Sequence, residues 1–167
     1  MIYQDLSKQK PGAATGGIRQ QIYIAPASYF QQLQTAQANV IRAPHELKPG
    51  KHFIEVYTTL DSGKLSSETI GSYGFRSQKF TLNCSHPGNH VDVQQFFATA
   101  INDDWIALVP LPNGDIVQLG QKGIWAQLSV SSDTGTLSAP VNQNSFTIEA
   151  IQPSAFFSPY QIPKAPE

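Results

Sequence analysis

The chain predicts a mainly β fold: a small antiparallel sandwich or barrel with one flanking α-helix. Three observations carry that expectation. Apolar or alternating runs of four to ten residues recur along the sequence, separated by 12 Gly and 12 Pro, the pattern of short strands joined by tight turns. Four of these runs follow one another after residue 104 at the close spacing of sandwiches and barrels. Only one stretch keeps a helical period over several turns. At 167 residues the chain fits a single domain able to bury a real core.

Residues 1–17 end in "KPGAATGG" and are expected to form a flexible N-terminal arm. The β domain is expected over 18–152, opening with the strand "IRQQIYIAP", which stops at Pro26. A short helix or turn is expected in "ASYFQQLQTAQANVI", where Tyr29, Phe30 and Leu33 have helix-like spacing. "KHFIEVYTTL" alternates Phe53, Glu55 and Tyr57 against Ile54, Val56 and Thr58, a strand of good β-propensity. The polar stretch 60–74 reads as a long hairpin loop weakly anchored by Leu65 and Ile70, and "FRSQKFTLNC" resumes as a strand. The helix is expected at about 89–102. Asn89 is its candidate N-cap, Asp92 meets the helix dipole in the first turn, and Val93, Phe96, Phe97, Ala100 and Ile101 form one apolar stripe. "DWIALVPLP", "GDIVQLGQ", "GIWAQLSVSS" and "NSFTIEAIQ" are the four closing strands. Pro-Asn-Gly at 112–114 turns the first into the second, and Pro110 and Pro112 belong at a strand end or edge because each lacks a backbone donor. The tail 153–167 holds Pro153, Pro159, Pro163 and Pro166, so it is neither helix nor central strand. Its aromatic residues Phe156, Phe157 and Tyr160 are expected to pack onto this chain or the next.

Charged residues make up only 14% of the chain and the net charge is −1, against about a quarter charged in ordinary domains. Gln, Ser, Thr and Asn take their place. No Lys/Arg cluster occurs, which argues against specific binding of nucleic acid through its phosphates. A surface that nucleic acid slides past without sticking has the same composition. The single cysteine, Cys84, excludes an intrachain disulfide. No signal-peptide pattern and no apolar run of membrane-spanning length is present, so synthesis in the cytoplasm is expected.

Candidate chemistry falls short at each place it is sought. Cys84, His86 and His90 are zinc-competent ligand types, but a structural site needs a fourth ligand, and Pro87, Gly88 and a helix start interrupt the histidine pair. No metal and no cofactor are expected. "GSYG" at 71–74 is one residue short of a nucleophile elbow and lies between strands, which leaves Ser72 without its context. Asp103 and Asp104 are adjacent, and adjacent strand residues point to opposite faces, so they make no catalytic dyad. "PGAATGG" lacks the Lys-Ser/Thr of a phosphate loop. Trp105 and Trp125, expected on neighbouring strands of a C-terminal sheet, offer a sugar-binding platform as a rival to ordinary packing. No enzyme is expected.

The order of elements completes the reading. A Gly-rich arm leads into "GGIRQQIYIAPASYF", then come a strand, a long polar hairpin, another strand, the helix "NHVDVQQFFATAIND", the hairpin "DWIALVPLPNGDIVQLG" and the closing "FTIEAIQPSAFF". This arrangement resembles the tail tube (major tail) proteins of tailed bacteriophages, especially those of Bacteroidetes hosts, over roughly residues 16–160. The stretches beyond Tyr160 and at 31–39 lie outside the likeness. The resemblance implies a virion protein of the tail, made in the host cytoplasm, whose copies form hexameric rings stacked into a tube that conducts DNA. Its partners would be other copies of itself and tail proteins such as the tape measure and terminator, with DNA only as passing cargo. The resemblance implies that sheets of neighbouring subunits continue one another. Ile18, Leu65, Ile70, Phe156, Phe157 and Tyr160 are the inter-subunit residues proposed on this basis, and the arm 1–17 and stretch 60–74 the ring-to-ring contacts. The alternatives are a head–tail connector, tail terminator or other ring-forming virion protein, and a carbohydrate-binding β-sandwich module.

Overall fold

The computed structural model describes residues 16–138, 143–158 and 162. Its strands are β1 (Gln21–Pro26), β2 (Phe30–Gln32), β3 (Glu46–Leu47), β4 (Ile54–Tyr57), β5 (Lys64–Ile70), β6 (Ser77–Pro87), β7 (Trp105–Pro110), β8 (Ile116–Leu119), β9 (Gln127–Asp133), β10 (Gln143–Gln152) and β11 (Phe156–Phe157). One α-helix, α1 (Val91–Ala100), stands between β6 and β7. The strands form a five-stranded sheet in the order β11-β8-β7-β1-β4, a four-stranded sheet in the order β5-β6-β10-β9, and the small β2-β3 pair. All pairings between these strands are antiparallel. The fold is therefore the expected mainly β sandwich with one helix.

The main core lies between the two larger sheets. Ile22, Ile24, Ala107, Val109, Val117 and Leu119 come from the five-stranded sheet. Phe80, Leu82, Cys84, Leu128, Phe146, Ile148 and Ala150 come from the four-stranded one, and Phe97 and Ala100 of α1 close the side. The opposite parity of β1 and β7, Tyr23, Ala25, Ile106 and Leu108, builds a second core with Phe53, Phe30, Leu33 and Leu47. The five-stranded sheet is thus covered on both faces, which is why its central strands lack polar alternation.

Several expectations are corrected. The stretch 60–74 is not mainly loop: Lys64–Ile70 is a full strand in register with β6 from Lys64↔Asn83 to Ile70↔Ser77. Its sequence reads as loop because three of its four outward positions, Lys64, Ser66 and Glu68, are polar and two of its three inward ones are Ser67 and Thr69. The four closing strands do not share one sheet; β7 and β8 join the five-stranded sheet, β9 and β10 the four-stranded one. The chain crosses between sheets through a turn in which Gln121 and Ile124 bond each other's backbone, and Ala126 returns to pair with Trp105. Helix α1 is capped by His90 rather than Asn89, without a side-chain cap bond. Asn89 instead accepts a hydrogen bond from the Gln94 side chain. The short helix or turn expected after β1 is a single 3₁₀ turn, Ala27–Tyr29, before β2. The tail segment 153–158 belongs to the domain, because β11 pairs with β8 as an edge strand.

The β7–β8 connection is a three-residue loop, Pro112 to Gly114. Leu111 accepts from Gly114 N–H at 3.1 Å and donates to Asp115 O at 2.8 Å. Gly114 has φ 96 and Asn113 is not in the left-handed region. This is a type I turn, with Pro112 at its second position, followed by a left-handed glycine. Pro110 ends β7, and its carbonyl accepts the Arg19 N–H at 2.9 Å.

Candidate functional site

The proposed ligand set does not assemble. Cys84 lies on the inward face of β6, buried, and burial pushes its thiol up to about 12. His86 donates from Nδ1 to the Tyr57 carbonyl at 2.9 Å, tying β6 to β4, while His90 is exposed at the start of α1. Among the described residues no group of three or more His, Cys, Asp or Glu is placed to hold a metal. Ser72 sits in the exposed tip of the β5–β6 hairpin, its carbonyl accepting the Phe75 N–H at 2.9 Å. Asp103 caps the turn after the helix by accepting from Asp104 N–H at 2.9 Å.

The two tryptophans form no exposed platform. Trp105 is 3% exposed and donates from its indole to Ala100 O at 2.8 Å. Trp125 lies outside the strands and packs, half-buried, against the second core. Indole burial, with its N–H satisfied internally, is the usual reason a Trp is structural.

The six residues expected at subunit contacts divide between core and surface. Phe156 is buried within its own chain, facing β8. Ile18 and Leu65 are partly buried against the main core, and Ile18 lies over Gly63. Phe156 is thus committed to its own subunit, whereas Ile18 and Leu65 bury only part of their surface there. Ile70 is half-buried at the end of β5 and Phe157 is partly exposed on β11. Tyr160 lies outside the described residues, as does most of the arm, 1–15.

The feature that remains is a surface. In the four-stranded sheet every second residue points away from the core. Those residues are Lys64, Ser66, Glu68 and Ile70 on β5; Lys79, Thr81, Asn83 and Ser85 on β6; Ser145, Thr147, Glu149 and Ile151 on β10; and Gln127, Ser129, Ser131 and Asp133 on β9. Hydroxyls and amides bond across it: Thr147 Oγ1 donates to Asn83 Oδ1 at 2.9 Å, and the hydroxyls of Ser85 and Ser145 lie 3.4 Å apart. Its charges compensate locally. Lys79 Nζ is 2.8 Å from Glu149, and its pKa is raised by the Glu149 hydrogen bond and charge, with Glu68 adding a smaller contribution. No arginine lies on this face.

The edges matter as much as the face. β5 and β9 bound the sheet, each with one neighbouring strand among the described residues. Each pairs over seven residues without a register shift. Protein edges are commonly blunted by lysine, proline or a bulge, and β9, "QLSVSSD", has none of the three. No helix is long and apolar enough to cross a membrane among the described residues. Comparison with family models, curated proteins and solved structures finds no match.

Proposed function

We propose that the chain is a self-assembling structural protein whose copies join through the edges of the four-stranded sheet, and that it serves as a tail tube subunit of a bacteriophage virion. The observation that carries this reading is the sheet itself. One face seals the core, the other is a broad, nearly charge-balanced carpet of hydroxyls and amides, and the two edge strands match in length.

Pairing β5 of one copy with β9 of the next leaves neither edge exposed and extends the polar face from subunit to subunit. Such a contact is heterologous, so it closes into a ring when the rotation between copies divides a full turn. A closed ring leaves the four-stranded sheet without an edge, which removes the aggregation hazard of its two unprotected strands. If the polar face lines the ring's interior, passing DNA meets hydroxyls, amides and a Lys79 paired with Glu149 rather than a basic track. Phosphate neutralisation, the main source of non-specific affinity, is then small.

Electron microscopy of the purified full-length protein tests the reading. Stacked rings or tubes are the expected result. Isolated rings favour a connector or terminator role, and dispersed monomers at every concentration overturn self-assembly altogether.

A further inference from the structure

The tip of the β5–β6 hairpin presents two aromatic rings that its own chain leaves uncovered: Tyr73 is 89% and Phe75 88% exposed. The tip is a closed turn, with Phe75 N–H donating to Ser72 O at 2.9 Å. The Arg76 guanidinium lies 5.7 Å from the Tyr73 ring centroid. Tyr and Arg are the residue types that, with Trp, dominate binding hot spots.

At the other end of β6 the same molecule carries an open groove. It runs between α1 and β4 as two adjoining hollows of about 210 and 480 Å³, which share Ile54, Asp92 and Phe96 as walls. Val56, Val93 and Phe97 line one hollow, and Pro26, Tyr29 and Trp105 the other. Its charged lining residues are the acids Glu55, Asp92 and Asp103, with no lysine or arginine among them. Groove and tip are therefore complementary, apolar to aromatic and anionic to cationic.

They cannot meet within one chain. β6 runs from Ser77 beside the tip to His86 in the groove wall, and at about 3.3 Å per residue this places them roughly 30 Å apart. We propose that Tyr73, Phe75 and Arg76 of one copy dock into the α1–β4 groove of a second copy, head to tail along β6. The contact is heterologous and propagates along the strand direction, across the ring-forming edges. It rests on the self-assembly reading and supplies the stacking contact that a ring alone lacks.

The test places a photo-crosslinking benzophenone side chain at Gln95, exposed on the groove rim, in the purified full-length protein. Cross-links that map to residues 71–77 of a second copy support the proposal. So does a rise of about tenfold or more in the concentration needed for stacking when Tyr73→Ser and Phe75→Ser are combined. Both side chains are exposed, and an unchanged circular dichroism spectrum establishes that this variant folds. Assemblies that form with cross-links mapping to residues 1–15, or to the sheet edges, overturn the docking while leaving self-assembly intact. A wild-type protein that never associates overturns both.

Discussion

The two larger sheets share one core yet differ in how much of themselves they bury. Every residue of β7, "WIALVP", is buried, and so is every residue of β1 after Gln21. In β10 of the four-stranded sheet, buried and less buried positions alternate along its whole length. The difference is one of covering layers. The five-stranded sheet has the main core on one face and the β2–β3 segment on the other, whereas the four-stranded sheet has one face sealed and the other open. A strand that reads as continuously apolar is a strand with two neighbours in depth. An alternating one has kept a face for solvent or for another chain.

A parity scan breaks or sharpens this comparison most strongly. Leu108→Ala and Val109→Ala point to opposite faces of β7, and both should destabilise by about 2–5 kcal/mol in denaturant unfolding. In β10, Ile148→Ala should cost a similar amount and its neighbour Thr147 almost nothing. If Leu108→Ala proves tolerated, the second core is not a core.

The next largest effect is expected where the two sheets are tied by polar groups. Gln152 of β10 accepts from Gly120 N–H at 3.0 Å and donates to Gln118 O at 3.2 Å and Ser154 O at 2.8 Å. Gln152→Leu orphans these groups in a buried place, at a cost of about 1–3 kcal/mol for an unsatisfied donor or acceptor. Gly120→Ala should lose about 1–3 kcal/mol through backbone strain. Its φ is 91, and a Cβ would stand 2.9 Å from both Ala126 N and Trp105 O. Thermal unfolding reads both variants.

A smaller effect is tied to pH. His45 packs between the β2–β3 layer and β8. Its Nδ1 accepts from Gln34 N–H at 3.0 Å, so Nε2 carries the hydrogen and donates to Gln118 Oε1 at 2.6 Å. Burial holds its pKa below the ordinary 6.5, outweighing the Gln118 bond that raises it. The unfolded chain therefore takes up this proton more readily than the folded one. Stability from His45 is complete above about pH 6.5 and declines as the pH falls below that value, levelling once the folded pKa is passed. The difference in denaturation midpoint between wild type and His45→Gln, measured from pH 8 to 5, should narrow as pH falls. A constant difference would show that the ring does not titrate differently on folding. Smallest of all, Thr147→Ala on the open face of β10 should stay within about 0.5 kcal/mol. Its hydroxyl bonds Asn83 on a surface that water also reaches.

Much of this was legible in the residues, but unevenly. The helix stood out because Val93, Phe96, Phe97 and Ala100 keep one period, and the β7–β8 hairpin because Pro-Asn-Gly separates two apolar runs. β5 was missed, since a strand with Ser67 and Thr69 on its inward side and charges on its outer side leaves only Leu65 and Ile70 as a hydrophobic signal. Its pairing with β6 is what makes it a strand. The groove was invisible for a related reason: Ile54 comes from β4, far along the chain from the α1 and β7 that carry Asp92 and Trp105. The exposed aromatic tip was present in "GSYGFR", but aromatic residues in a sequence read as core until the fold leaves them outside.

What the sequence by itself determined is therefore local: the β class, the single helix, the turns, the absence of a basic track, and the scarcity of catalytic groups at workable spacing. Periodicity and turn chemistry act over a few residues, so they survive without knowledge of neighbours. Only the tertiary structure decided that β7 and β8 part from β9 and β10, and that Trp105 and Phe156 are interior while Tyr73 and Phe75 are not. It also decided that a polar face is bounded by two open edges. Those outcomes depend on which surfaces meet across long stretches of chain, and burial is a property of the pair rather than of either residue.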